Sequence, residues 1–165
     1  GMTSVAISFS LLNNEMADFA TKPGQPNPFG LVEGEANRID GGKRPLSSMT
    51  PTMVFKDGKP WLTTGSPGGS TIITSILQTL LNAMEFDMNI AAAAAAARVH
   101  HQWQPDSLMV ESGVSPDTLK LLESMGHTIR IGNRTLGRTN SIMQQGDWLY
   151  GATDTRRPGG WVAGY

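Results

Sequence analysis

The stretch Thr63-Thr64-Gly65-Ser66-Pro67-Gly68-Gly69-Ser70, running directly into Thr71-Ile72-Ile73, decides how the chain is read. Three glycines and a proline within eight residues exclude the interior of a helix or strand, so this is a tight loop between a strand around Trp61 and a helix opening near Thr71. Outward on the C-terminal side, Ile72, Ile73, Ile76, Leu77, Leu80, Leu81 and Met84 recur with a 3.6-residue period. They predict a helix with one broad apolar face turned to the core. On the N-terminal side, residues 52–56 and 61–64 flank Asp57-Gly58, a dipeptide suited to the left-handed turn of a hairpin. The second strand of that hairpin delivers the glycine loop to a helix N-terminus, where backbone N–H groups lack intrahelical partners and the dipole favours negative charge. Two readings stay open. Either Gly68 and Gly69 turn successive amides toward one point as an anion site or oxyanion hole, or the glycines serve only the fit of a strand-to-helix turn.

Composition narrows the function classes. A length of 165 residues, 39% of them hydrophobic and 16% charged, fits one soluble globular domain over residues 1–165. A net charge of −1 with dispersed Lys and Arg argues against nucleic acid as the main partner. The apolar run at residues 90–97 is too short to cross a bilayer, and the opening residues show no secretory signal pattern. Gly1 before Met2 reads as a remnant of a cleaved tag. Without cysteine there is no disulfide, thiol nucleophile or Cys-based zinc site, and His100, His101 and His127 lack metal-ligand spacing, so neither metal nor cofactor is expected.

The remaining segments supply charge and order. Residues 5–12 read as a strand ending in a turn at Asn13-Asn14. Glu15 and Asp18 then lie three apart, on one side of a helical turn, either as a pair able to hold an ammonium group or as a solvated acidic turn. Residues 21–44, with Pro23, Pro26, Pro28 and several glycines, form a long loop of the kind that often carries function. Ser47 and Ser48 end it, offering hydroxyl and backbone donors to a carboxylate or phosphate, or bonding locally in a turn. Asn89 caps a second helix through the alanine run to about Arg98, with His100 and His101 at its exit. A strand at 108–111, a helix opened by Ser115-Pro116 and closed by Gly126, and strands at 127–131, 140–144 and 148–153 follow, the last two joined about Gly146-Asp147. The order gives an α+β sandwich with a substantially antiparallel sheet.

Five blocks together resemble the small subunit of γ-glutamyltransferases: Leu11-Leu12-Asn13-Asn14-Glu15-Met16 with Asp18-Phe19, Lys43-Arg44-Pro45-Leu46-Ser47-Ser48-Met49, Gly65-Ser66-Pro67-Gly68-Gly69-Ser70, residues 98–103, and Tyr150-Gly151-Ala152 with Asp154 and Arg156. The resemblance implies part of an N-terminal-nucleophile hydrolase αββα sandwich, cut from a precursor that cleaves itself to expose a threonine nucleophile. It implies that Glu15 and Asp18 bind the substrate α-amino group, Ser47 and Ser48 its α-carboxylate, and the Gly68 and Gly69 amides the oxyanion. The implied substrate is glutathione or a related γ-glutamyl amide, the implied partner the large subunit, and the implied location periplasmic or secreted. The family's nucleophile lies farther before the Leu-Leu-Asn-Asn block than this chain reaches, and Thr3 is not its counterpart. The chain alone is therefore expected to be inactive, with uncovered surfaces that favour self-association. Two rivals are a noncatalytic module binding γ-glutamyl compounds or a partner chain, and the same fold acting on poly-γ-glutamate or a β-lactam side chain.

Overall fold

A computed structural model describes Ala6–Ile7, Ser10–Leu11 and residues 15–164. The turn expected at Asn13-Asn14 lies outside the described residues, as does Thr3. Two compact units divide the chain, one ending at Ser47 and the other beginning at Ser48.

In the first unit, β1 (Ala6–Ile7) and β2 (Ser10–Leu11) pair antiparallel where a single strand was expected over residues 5–12. Strands of two residues are shorter than one period-2 signal and cannot be told apart in sequence. Glu15–Asp18 coils into a 3₁₀ turn, and residues 21–44 form an irregular segment with isolated bridges at Ala20–Arg38 and Pro26–Val32 and a second 3₁₀ turn at Glu35–Asn37. Over residues 15–47 of this unit only Phe19, Ala20 and Asn37 are buried.

The second unit holds the regular structure. β3 (Thr52–Lys56) and β4 (Lys59–Gly65) form the expected hairpin, with Asp57 and Gly58 both left-handed at φ 51° and 75°. β4 also pairs with β8 (Asn140–Gln145), and β8 with β9 (Trp148–Thr153), giving an antiparallel sheet in the order β3-β4-β8-β9. Helices α1 (Thr71–Met84) and α2 (Ile90–Ala95) lie on one face of this sheet, where Leu62, Met143 and Ala152 meet Ala83, Ile90, Ala93 and Ala94. The alternating positions Met53, Ile142 and Leu149 face the other way and are exposed.

A second sheet joins β5 (Val99–His100), β6 (Leu108–Glu111) and β7 (Ile129–Gly132), with α3 (Pro116–Ser124) as the crossover between parallel β6 and β7. Ser115 caps α3 as expected, its Oγ accepting from the Thr118 N–H. His127 donates its N–H to Leu122 O and so belongs to the cap of α3 rather than to the next strand, which begins two residues later than expected.

Two expectations about the helices are corrected. α1 buries Ile72, Ser75, Ile76, Thr79 and Ala83, whereas Ile73, Leu77, Leu81 and Met84 are exposed, so its apolar positions form two faces of which this chain covers one. α2 stops at Ala95 rather than near Arg98, because the chain turns extended at Ala96 and the Arg98 guanidinium folds back to donate to the Ala94 carbonyl at 2.5 Å. That carbonyl would otherwise be an orphan at the helix C-terminus.

Candidate functional site

The glycine loop leaves β4 at Gly65, which pairs with Asn140, and enters α1 at Thr71. Gly68 and Gly69 have φ of +151° and +58°, backbone states that L side chains resist. Space enforces the choice at Gly68, where a Cβ would meet Thr71 Oγ1 at 2.6 Å and the Gly137 Cα at 3.3 Å. The Thr71 N–H (3.2 Å) and Oγ1–H (2.8 Å) donate to Gly68 O, and the Ile72 N–H donates to Gly69 O at 3.1 Å. Since a trans peptide places its N–H opposite its C=O, a Gly68 carbonyl turned into the helix start turns the Gly69 N–H away from it. Among the described residues neither the Gly68 nor the Gly69 amide has an acceptor within the chain. Two adjacent donors at a helix start are thus available to an oxygen that gains negative charge.

The loop rests on a second turn that the sequence did not single out. Arg138 N–H donates to Ser66 Oγ at 2.8 Å, and Ser66 Oγ donates to Pro67 O at 2.8 Å. Ser75 Oγ donates to Thr71 O at 2.7 Å and Leu136 O at 3.1 Å. Gly137 sits between, left-handed at φ 70°, and a Cβ there would meet both serine hydroxyls at 2.6 Å. Only glycine lets the 136–138 turn approach this closely. On the other side of the loop, Ser70 Oγ donates to Gln102 Oε1 at 2.7 Å, and buried His100 bridges Gln102 Oε1 at 3.0 Å and Thr74 Oγ1 at 2.8 Å.

A buried ionic network anchors the 136–138 turn. Arg98, 1% exposed, donates through Nη1 to Asp154 Oδ2 at 2.8 Å and Leu136 O at 3.2 Å, and through Nη2 to Thr139 Oγ1 at 3.0 Å. Arg156 holds Asp154 Oδ1 through Nε at 2.8 Å and Oδ2 through Nη2 at 2.6 Å, while its Nη1 binds Glu111 Oε2. Glu111 in turn accepts from the Arg98 N–H at 2.8 Å and the Leu136 N–H at 2.5 Å. Burial alone would push the Asp154 carboxyl up, but the hydrogen bonds from Arg156 and Arg98 hold it down at about 2. The hydrogen bonds that Arg156 donates to Asp154 outweigh burial and, with Glu111, raise the Arg156 pKa.

The other predicted residues have different surroundings. In the first unit, Glu15 is exposed and Asp18 half-buried at opposite ends of their 3₁₀ turn. Burial, and then the Glu15 carboxylate, raise the Asp18 pKa. The turn therefore presents two carboxylates close enough to repel, the arrangement that gains most from a bound cation. Ser47 is exposed and Ser48 half-buried, each outside any helix or strand of its own unit, and the Ser48 carbonyl accepts from Thr50 Oγ1 at 3.0 Å. Asn37, absent from the sequence expectations, donates to Asp18 O at 2.8 Å and accepts from the Leu46 N–H at 3.0 Å. Its signal was faint, one of two asparagines in a Gly- and Pro-rich stretch. Among the described residues no group of three His, Asp or Glu side chains is placed to hold a metal ion, and no helix is long and apolar enough to cross a membrane.

Known proteins match along almost the whole chain. The family model described as gamma-glutamyltranspeptidase covers residues 9–164. The glutathione hydrolase proenzyme of Escherichia coli is 56% identical over 156 residues, 94% of this chain but 27% of that protein. Gamma-glutamyltranspeptidase of Helicobacter pylori superposes with a TM-score of 0.86 at 46% identity, covering 94% of this chain and 86% of the solved one. The Pseudomonas nitroreducens gamma-glutamyltranspeptidase complexed with L-DON gives a TM-score of 0.87 at 39% identity, covering 99% and 86%. The chain thus spans about a quarter of the length of the curated relatives it matches, yet most of one chain of the solved enzymes.

Proposed function

The chain belongs to the gamma-glutamyltranspeptidase family and has the fold of one portion of an N-terminal-nucleophile hydrolase, and from that premise we propose that it is the small-subunit portion of a γ-glutamyltransferase that also hydrolyses glutathione. The amides of Gly68 and Gly69, which have no acceptor within the chain among the described residues and are fixed at the start of α1, are the observation that carries this reading. In the complete protein a threonine supplied from outside these residues attacks the γ-carbonyl of glutathione or a related amide. The carbonyl oxygen becomes an oxyanion between the two glycine amides, the amine leaves with a proton, and the acyl group passes to an amino acid, a peptide or water. Glu15 and Asp18 take the α-ammonium of the donor, and Ser47 and Ser48 its α-carboxylate. That set of groups favours small γ-glutamyl compounds with both termini free.

The remainder of the precursor is the partner. The exposed sheet positions Met53, Ile142 and Leu149 and the outer α1 positions Ile73, Leu77 and Leu81 are apolar on faces that an isolated sheet and helix would leave polar. A four-layer sandwich completed by the large subunit accounts for both. Periplasmic or secreted placement goes with this reading. The complete protein is expected to release p-nitroaniline from a γ-glutamyl p-nitroanilide and glutamate from glutathione, whereas this chain alone releases neither. A complete protein that turns over neither compound overturns the proposal.

A further inference from the structure

In the first unit, the turn that carries Glu15 and Asp18 and the segment that carries Ser47 are separated by the long loop, and among the described residues there is little apolar core to fix either one. One buried side chain reaches both. Asn37 is 6% exposed, and its Nδ2 donates to Asp18 O at 2.8 Å and Glu33 Oε2 at 2.6 Å, while its Oδ1 accepts from the Leu46 N–H at 3.0 Å. Its own carbonyl accepts from the Ala20 N–H at 2.9 Å. Both amide donors and the amide acceptor are therefore engaged, and the two backbone groups they hold belong to Asp18 itself and to the residue before Ser47. A hydrocarbon side chain cannot replace these bonds, and an amide oriented by three partners has one rotamer.

We infer that Asn37 is a positioning residue of the substrate site: through Nδ2 it sets the Asp18 turn that takes the α-ammonium, and through Oδ1 it sets the Ser47 segment that takes the α-carboxylate. The inference rests on the roles of Asp18 and Ser47 proposed above. It deepens them, because it divides one side chain into an ammonium half and a carboxylate half that substitutions separate. Asn37→Asp keeps the acceptor for Leu46 but loses the donors to Asp18 and Glu33. Asn37→Ala loses both.

The test compares L-glutamate with glutarate, which differs only in lacking the amino group, as competitive inhibitors of the complete enzyme. Asp18→Ala serves as the control and should erase most of the preference for L-glutamate. Asn37→Asp should lower that preference about tenfold, weakening L-glutamate much more than glutarate, and Asn37→Ala should weaken both inhibitors. Should repulsion from Glu33 unfold the Asp variant, the double substitution Asn37→Asp with Glu33→Gln removes it and leaves the Asp18 tie broken, giving the same readout. Preference retained in the Asn37→Asp variants while Asp18→Ala loses it overturns the inference alone. Preference retained in Asp18→Ala overturns the reading on which it rests.

Discussion

The glycine loop and the acidic turn are built from opposite materials. Around Gly68 and Gly69 the chain buries Arg98, Glu111, Thr139 and Asp154, and the hydrogen bonds of the 136–138 turn, Ser66 and Ser75 run from that network to the loop. Around Glu15 and Asp18 it leaves carboxylates half-buried or exposed, repelling one another, with one buried amide behind them. The difference follows the charge each place is proposed to meet. An oxyanion exists only in passing, so its donors must already stand in place and need no reorganisation. The α-ammonium of a substrate is permanent, and carboxylates under mutual repulsion bind it at the gain of relieving that repulsion.

Removing a member of the network is the largest way to break the comparison. Asp154→Ala leaves Arg98 charged and buried without its partner and should destabilise the second unit by about 3–5 kcal/mol, read by denaturation of the complete protein with hydrogen exchange followed at the β9 amides. A loss within ~1 kcal/mol would mean the network is not what anchors this region. Acid probes the same site in the wild-type protein. The Asp154 carboxyl falls from an ordinary 3.8 to about 2 on folding, so the stability it contributes is complete above about pH 4 and is lost as pH drops toward 2.

A smaller effect sharpens the glycine side. Gly69→Ala in the complete enzyme should lower kcat by about 10²-fold, roughly 3 kcal/mol, with the affinity for L-glutamate nearly unchanged, since one oxyanion donor is displaced and the ammonium and carboxylate sites are not. A variant with a lower melting temperature and an unaltered kcat would reduce the loop to a turn.

The smallest effect lies on the acidic side and has the opposite sign in stability. Burial and Glu15 raise the Asp18 pKa, so its ionised form is less comfortable folded than unfolded, and Asp18→Asn should slightly raise the melting temperature at neutral pH while weakening L-glutamate binding. For the wild-type enzyme the same direction means that L-glutamate binding weakens with acidification through the raised pKa and that binding releases a proton. Titration of L-glutamate into the complete protein in buffers of different ionisation enthalpy measures that proton. A melting temperature lowered by Asp18→Asn as much as by Asp154→Ala would show that both regions are structural.

What was legible in sequence was local. The Asp57-Gly58 turn, the α1 start after the glycines, the Ser115-Pro116 cap and the β8–β9 hairpin stand where they were expected, because each depends on neighbours a few residues apart. The six proposed site residues were found by type, spacing and resemblance, and Glu15 and Asp18 do share one 3₁₀ turn. What failed was long-range. The 3.6-residue period marked the large apolar positions of α1 and passed over the buried Ala83, but a period counts faces and does not say what covers them, so Leu77 and Leu81 read as core and are exposed. The parallel pairing of β6 with β7 lay beyond the hairpin logic that served for β8 and β9.

The sequence by itself determined the hairpin-loop-helix unit and the kinds of group available to a zwitterionic amide, since backbone preference and side-chain chemistry are properties of short stretches. Only the tertiary structure decided what holds those groups. Arg98 meets Asp154 across 56 positions, Arg138 meets Ser66 across 72, and Asn37 meets Asp18 across 19. Nothing in local propensity encodes such pairs. They are selected when folding removes water from polar groups and each must find a partner among whatever the chain has brought within reach.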